Sequence, residues 1–355
     1  MPKTIHLRSL QQKPATFANS SGAITRIEVS DFPVLKGLSL RRLLLSPRGV
    51  REPHWHANAH ELGYCLRGEH LVTMARSHSQ RDSFTISGGQ MFFVPSGALH
   101  HIENVGEQEG EMILAFSCEQ VEDFGLSGTF GAFTDAVLGN TLGVPADEMA
   151  SLSRSLENTL IGTRAAAAIP QGQELFSSPF KYDLEAAAPP IATAGGSAHT
   201  AQATSWPILR ELSMFSLRIS DQGMRELHWH PETAEMGYVT AGHDRMSILS
   251  PGASLDTYEM KADDMYFVPR AYPHHIENVA GGELAILVFF DQSQPADIGG
   301  RSLASAFSRE VLAATFQIDP AKLPKFPFTA EDPLIVSRIN PVDRTARNSG
   351  DGNSE

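Results

Sequence analysis

The feature that most constrains this chain is that it contains itself twice. The segment "REPHWHANAHELGYCLRG" at 51–68 returns as "RELHWHPETAEMGYVTAG" at 225–242, displaced by 174 residues (228 less 54). The same displacement carries "FPVLKGLSL" (32–40) onto "WPILRELSM" (206–214) and "MFFVPSGALHHIENV" (91–105) onto "MYFVPRAYPHHIENV" (265–279). It also carries "AFTDAVLGNTLGV" (132–144) onto "AFSREVLAATFQI" (306–318), with no net insertion or deletion between blocks. Two copies at a domain-sized period describe a duplicated domain rather than a solenoid. A chain of 355 residues is long enough for each copy to bury its own core. The expected division is a first domain over 1–149, a linker over 150–179, a second domain over 180–325, and an extension with a disordered tail over 326–355. The linker expectation rests on the Ala-, Pro- and Gly-containing "TRAAAAIPQGQELFSSP", and the tail on "RTARNSGDGNSE", which has almost no apolar residue.

Within each copy, short alternating or apolar runs ("LSLRRLLLS", "ELGYCLRG", "HLVTMA", "SFTIS", "QMFFVPSG", "EMILAFS") are separated by Gly, Pro and polar turns. That is strand spacing, and it predicts an all-β sandwich or barrel. Helical periodicity follows near 134–160 and 302–315, so each unit reads as a small barrel with a few helices after it. The net charge of -13 offers no basic surface for nucleic acid. No run of 18 apolar residues and no secretory leader pattern is present, which predicts a cytoplasmic protein with no membrane partner. Cys65 and Cys118 have neither disulfide-framework nor zinc spacing and read as core thiols.

Chemistry concentrates in the repeated block. Side chains at i and i+2 of a strand share a face, so His54 and His56 can look into the barrel while Trp55 looks out. Glu61 returns from the adjoining strand and His100 from a more distant one; in the second copy the set is His228, His230, Glu235 and His274. A lone HxH is more often a surface or core histidine pair than a ligand pair. Four donors repeated at identical spacing weigh against that reading. Three imidazoles, one carboxylate and no thiolate suit a divalent first-row metal with open positions rather than a structural zinc. His60 aligns with Ala234 and reads as a turn residue, whereas His101 and His275 fall on the opposite strand face and read as packing or supporting groups.

These residues carry a specific resemblance. The run from Gly49 through HWH, Glu61 and Gly68 resembles the first cupin motif, and "GQMFFVPSGALHHIEN" (89–104) resembles the second, with Pro95, Gly97, His100 and Asn104 in register. The second copy is similar, with Asp263 and Ala271 where the motif usually has glycine. Over roughly residues 5–325 the chain resembles the bicupins, most of all the oxalate decarboxylase family. The resemblance implies two tandem jelly-roll β-barrels, one Mn2+ in each, and a homo-oligomer of three or six chains; the ligand set by itself leaves iron, nickel or zinc open.

Arg51 and Arg225 each precede the first ligand by three positions, so on a regular strand they would face away from the metal unless a bulge intervenes. The bland alternative is a surface charge paired with Glu52 or Glu226. In the family resembled, the arginine here faces the metal pocket and holds the substrate carboxylate. The resemblance also implies decarboxylation of oxalate with help from dioxygen and a proton from a lid glutamate. Here the sequence departs: Leu126 stands at the glutamate's place in "EQVEDFGLSGTF" (119–130), Gly300 stands at it in the second copy, and Val288 replaces an inner-strand glutamate. Glu122 is the candidate substitute acid, with Glu119 and Asp123 beside it. Three functions stay open: an oxalate decarboxylase-like enzyme for oxalate or a similar small carboxylate, an oxalate oxidase-like or other O2-dependent enzyme, and a non-catalytic metal-binding bicupin. Retention of both ligand sets speaks against the last, and retention of the motif glycines favours the first copy as the catalytic one.

Overall fold

The computed structural model describes residues 5–165, 177–252, 254–279, 281–326, 329 and 332–342. By contacts the chain divides into two units, Lys13–Ala187 with Ile208–Arg210, and Met1–Gln12 with Ala188–Pro207 and Glu211–Glu355. Each is a pair of antiparallel sheets in a jelly-roll arrangement with a few short helices. The expected tail at 344–355 lies outside the described residues, as does 166–176 of the expected linker.

In the first unit, a seven-stranded sheet runs in the order Lys181–Asp183, Gln90–Val94, Glu61–Arg67, Gly110–Phe116, Ser39–Leu45, Gly22–Ile27 and Phe17–Asn19. The other sheet has the order Asp123–Gly125, Gly49–His56, Leu99–Asn104, Glu69–Ser77 and Gln80–Ser87, with Ile161–Thr163 also paired to Gly49–His56. The apolar runs of the sequence thus form the strands, and the stretch expected as a linker contributes one. In the second unit Ile335–Ser337, within the expected extension, plays the part of Ile161–Thr163 by pairing with Gly223–Trp229.

One connection crosses the repeat. Leu7–Ser9 and Lys181–Asp183 are equivalent at the 174-residue displacement, yet Leu7–Ser9 pairs with Asp264–Val268 and Lys181–Asp183 with Gln90–Val94. Each barrel's sheet is therefore edged by the leading strand of the other repeat.

The helices begin earlier than their periodicity suggests, and in the first copy they also end sooner. They are Leu126–Ala132 and Asp135–Leu142 in the first unit, and Gly300–Ala306 and Arg309–Thr315 in the second. Thr134 caps the second of these by accepting from the Val137 amide, and Gly143 ends it in the left-handed conformation, with Pro145 following. Residues 152–160 are accordingly not helical. Among the described residues no helix is long and apolar enough to cross a membrane.

The core of the second unit lies between its sheets, where Leu217, Val239, Ile248, Met260, Ile276 and Ile286 are buried. Burying each such side chain stabilises by roughly 1.5–3 kcal/mol. Among the inner-face side chains of each barrel is a cluster of three histidines and a glutamate, which is the site.

Candidate metal centres

His54, His56, Glu61 and His100 are buried, and one donor atom from each lies within 4.8 Å of the others; His228, His230, Glu235 and His274 repeat the arrangement. The strand Gly49–His56 supplies the HxH pair, Glu61 opens the neighbouring strand of the facing sheet, and His100 pairs directly across from His54. The register slips between the His54–His100 and Arg51–Ile102 pairs, three residues on one strand opposing two on the other. That bulge turns Arg51 to the ligand side, and the same slip lies between Arg225 and His228.

The ring nitrogens decide what these groups can hold. His54 Nδ1 lies 2.8 Å from the Glu52 carbonyl, His100 Nδ1 3.0 Å from the Ala98 carbonyl, and His56 Nδ1 2.6 Å from Asp123 Oδ1. All three partners are acceptors, so Nδ1 carries the hydrogen and a neutral ring has only a lone pair on Nε2. Yet Glu61 Oε2 lies 2.8 Å from His56 Nε2 and 3.1 Å from His100 Nε2. A lone pair facing a carboxylate oxygen calls for a positive charge between them, a proton or a metal ion, and three imidazoles with one carboxylate are a donor set that fits a divalent metal. The second quartet is alike: Nδ1 of His228, His230 and His274 faces the carbonyls of Glu226, Ala296 and Tyr272 at 2.7, 2.8 and 2.9 Å. Its His228 Nε2 is buried without a hydrogen bond, 3.9 Å from Glu235 Oε2.

Electrostatics keep the ligands in binding form. Burial and then the charge of Arg51 hold His54 far below the usual histidine range. Burial pushes Glu61 up, but His100 and His56 outweigh it and hold the carboxyl below the usual carboxylate range. Burial lowers Arg51 to about 10, so its guanidinium remains charged at neutral pH.

The two centres differ in their surroundings. Tyr266 donates to Glu235 Oε1 at 2.6 Å, over Gly237, where a Cβ would stand 2.0 Å from the tyrosine ring. In the first centre Phe92 has that place and Glu61 Oε1 is buried without a partner. Beside the first centre is a cavity of about 10 Å³, room for about one water. Arg41, Arg51, His54 and Glu61 line it with Ile24, Leu43, Ile102, Leu114 and Phe116.

The structure does not bring Glu122 into the site. Strand Asp123–Gly125 pairs with the HWH strand, Asp123 opposite His56; alternation turns Asp123 to the ligands and leaves Glu122 exposed. Glu119 accepts from the Gly37 amide instead. Burial pushes Asp123 up, but its bond to His56 and the charge of Arg41 hold it below the usual carboxylate range. Leu126 lines a separate cleft of about 360 Å³ with Glu52, Ser127 and Phe130. Glu52 is tied to that lid segment, accepting from Ser127 Oγ at 2.6 Å and from the Leu160 amide at 2.6 Å. His101 and His275 stand off the quartets beside Glu103 and Glu277, and His60 accepts from the Ser96 amide in the turn. Cys65 is buried, Cys118 half-buried, and both are free.

Sequence reasoning missed Arg41. It sits between Leu40 and Arg42 in Ser39–Leu45, on the inward parity with Leu43 and Leu45, and that alternation was the available signal.

Comparison with known proteins agrees with this geometry. The cupin domain model matches residues 8–149 and 182–323. An oxalate decarboxylase of Bacillus subtilis is 28% identical over 286 residues, covering 78% of this chain and 73% of its own. A probable oxalate decarboxylase of Arthroderma benhamiae is 25% identical over 311 residues, covering 84% and 75%. The solved structure of the Bacillus subtilis oxalate decarboxylase at pH 4.6 superposes with a TM-score of 0.81 at 23% identity, covering 94% of this chain and 87% of that one. The chain belongs to the cupin family, as a bicupin similar to oxalate decarboxylases with one metal centre in each of its two domains.

Proposed function

We propose that the chain is a manganese enzyme that cleaves oxalate or a similar small carboxylate to formate and carbon dioxide, with the first barrel as the reacting one. The observation that carries this is the cavity that joins Arg51 to His54 and Glu61. His54, His56, Glu61 and His100 would hold the metal. A redox-active metal bound there supplies an electron acceptor for breaking the carbon–carbon bond of a carboxylate.

The chain's own residues do the rest. The Arg51 guanidinium offers a planar fork to one carboxylate of the substrate. Ile24, Leu43, Ile102 and Leu114 exclude water, which strengthens that charge contact. A cavity of about 10 Å³ must widen to admit a dicarboxylate, and the lid segment tied to Glu52 through Ser127 is the element placed to move. A homo-oligomer of three or six chains, a cytoplasmic setting and the participation of O2 belong to the same reading and rest on the sequence and the resemblance.

One observation favours the oxidase as a second reading. The one carboxylate lining the cavity is the ligand Glu61, and Asp123 is held ionised, so no acid there is ready to give formate its proton. Oxalic acid and dioxygen would then yield two carbon dioxide and hydrogen peroxide. The test is to load the purified chain with manganese, supply carbon-13 oxalate in air at about pH 5, within the range where carboxyl groups titrate, and follow formate by NMR beside peroxide. Formate matching oxalate consumed, and lost in Arg51→Ala, is the expected result. Peroxide without formate establishes the oxidase; neither product from fully loaded protein overturns both readings.

A further inference from the structure

The two barrels treat equivalent carboxylates differently. Asp123 and Asp297 correspond at the 174-residue displacement. In the first barrel Asp123 accepts from His56 and is held by Arg41 Nη1, at 3.0 Å from Oδ1 and 2.8 Å from Oδ2, and by Arg26 Nη2 at 3.2 Å. Arg41 Nη2 also reaches Glu28 at 3.2 Å, and its guanidinium lies 4.5 Å above the Phe116 ring. Arg51 is thereby left open: its Nη1 donates to the Leu160 carbonyl, and among the described residues the one carboxylate within 4.0 Å is Glu52, at that limit.

In the second barrel every cation that holds Asp123 is gone. Arg26, Glu28 and Arg41 are replaced by Thr200, Gln202 and Phe215, three charges lost together. Phe215 packs edge-on against Phe290, which corresponds to Phe116, so an apolar ring occupies the guanidinium's place. Asp297 is not on His230, whose Nδ1 faces a backbone carbonyl; it forms a close ion pair with Arg225. The arginine equivalent to Arg51 is neutralised by the chain itself.

We propose that Arg41 is a positioning residue of the first centre: with Arg26 it holds Asp123 on His56 and away from Arg51, so that Arg51 stays open to a carboxylate ligand, whereas Asp297 closes the second centre to one. The inference rests on the small-carboxylate reading above for the ligand class, but not for the side-chain arrangement. Arg41 also lines the first cavity, with its buried Nε making no hydrogen bond, so the positive charge beside Arg51 is not cancelled there. The first barrel is thus built for a doubly charged ligand and the second for a metal alone.

The test counts ligands rather than turnovers. Chain loaded with manganese is dialysed without oxygen against carbon-14 oxalate. Wild type is expected to take one equivalent per chain and Asp297→Ala two. In Arg41→Phe the affinity should fall at least tenfold with both metals retained, and Arg41→Lys should restore most of it. Crystal structures supply the second readout, with Asp123 expected on Arg51 in Arg41→Phe. Two equivalents in wild type, or one in Asp297→Ala, would overturn the proposal; the latter variant decides if Arg41→Phe does not fold. Asp123 remaining on His56 in Arg41→Phe with oxalate affinity unchanged would overturn it as well. Wild type taking no oxalate would sink the substrate reading, and the crystal structures would then decide the role of Arg41 alone.

Discussion

At the scale of residues, a buried polar group is informative because it costs free energy unless something compensates it. In each quartet the missing compensation is a cation. Replacing His100 by Ala should lower bound metal from two per chain to one, measured by elemental analysis, with the second centre retained. A second pair of buried groups has no such cation. His70 and Asp244 are equivalent positions; burial lowers the histidine to about 4, while burial and then the charge of Asp264 hold the aspartate well above its usual range. Their pH slopes should oppose each other. The unfolded chain binds the His70 proton more readily, so stability falls by up to about 3 kcal/mol as pH drops from about 6.5 to about 4. For Asp244 the folded chain binds the proton more readily, so stability is lost as pH rises above about 3.8. Asp244→Asn should therefore raise the urea midpoint at pH 7 and leave it nearly unchanged at pH 3; an equal gain at both would refute the assignment. The ligands were legible in the sequence because strand alternation and repetition determine them. Arg41 and Asp123 were not, because their meaning lies in which partner each selects across the two sheets.

At the scale of elements, the same turns are built with different residues in the two copies. Gly89 and Gly97 have φ of 85° and 77°, and their counterparts Asp263 and Ala271 keep left-handed φ of 70° and 63°. Asp263 is held by bonds from Tyr238 Oη at 2.5 Å and Gln11 Nε2 at 3.2 Å. Ala271 carries a Cβ in a conformation that costs about 1–2 kcal/mol, and no atom lies within 4 Å of where a Cβ would sit at Gly97. Ala271→Gly should accordingly stabilise the chain by about 1 kcal/mol, visible as a rise in thermal midpoint without change in bound metal. The apolar runs were readable as strands. The three-residue strands "LRS" (7–9) and "KYD" (181–183) were not, since segments so short carry no period and take their register from the edges they meet.

At the scale of the whole molecule, the repeat reads as two successive domains, whereas contacts assign each leading strand to the other barrel's sheet. A fragment of residues 13–187 contains all but three residues of the first unit and should fold and bind one metal. A fragment of residues 1–149 lacks Ile161–Thr163 and Lys181–Asp183 and leaves Gln90–Val94, still paired to Glu61–Arg67, as an open edge. It should aggregate or lose metal, since an open sheet edge is a template for association. Equal solubility and metal content in the two fragments would contradict the assignment.

The crossed strands also impose a timetable on synthesis. The first barrel can be edged once residue 183 has emerged from the ribosome, but Leu7–Ser9 must wait for Asp264–Val268. At typical elongation rates that is a wait of roughly 13–50 s. Throughout it Leu7–Ser9 lacks its strand partner, and the second barrel is closed at one edge by a strand made before any of the first barrel's.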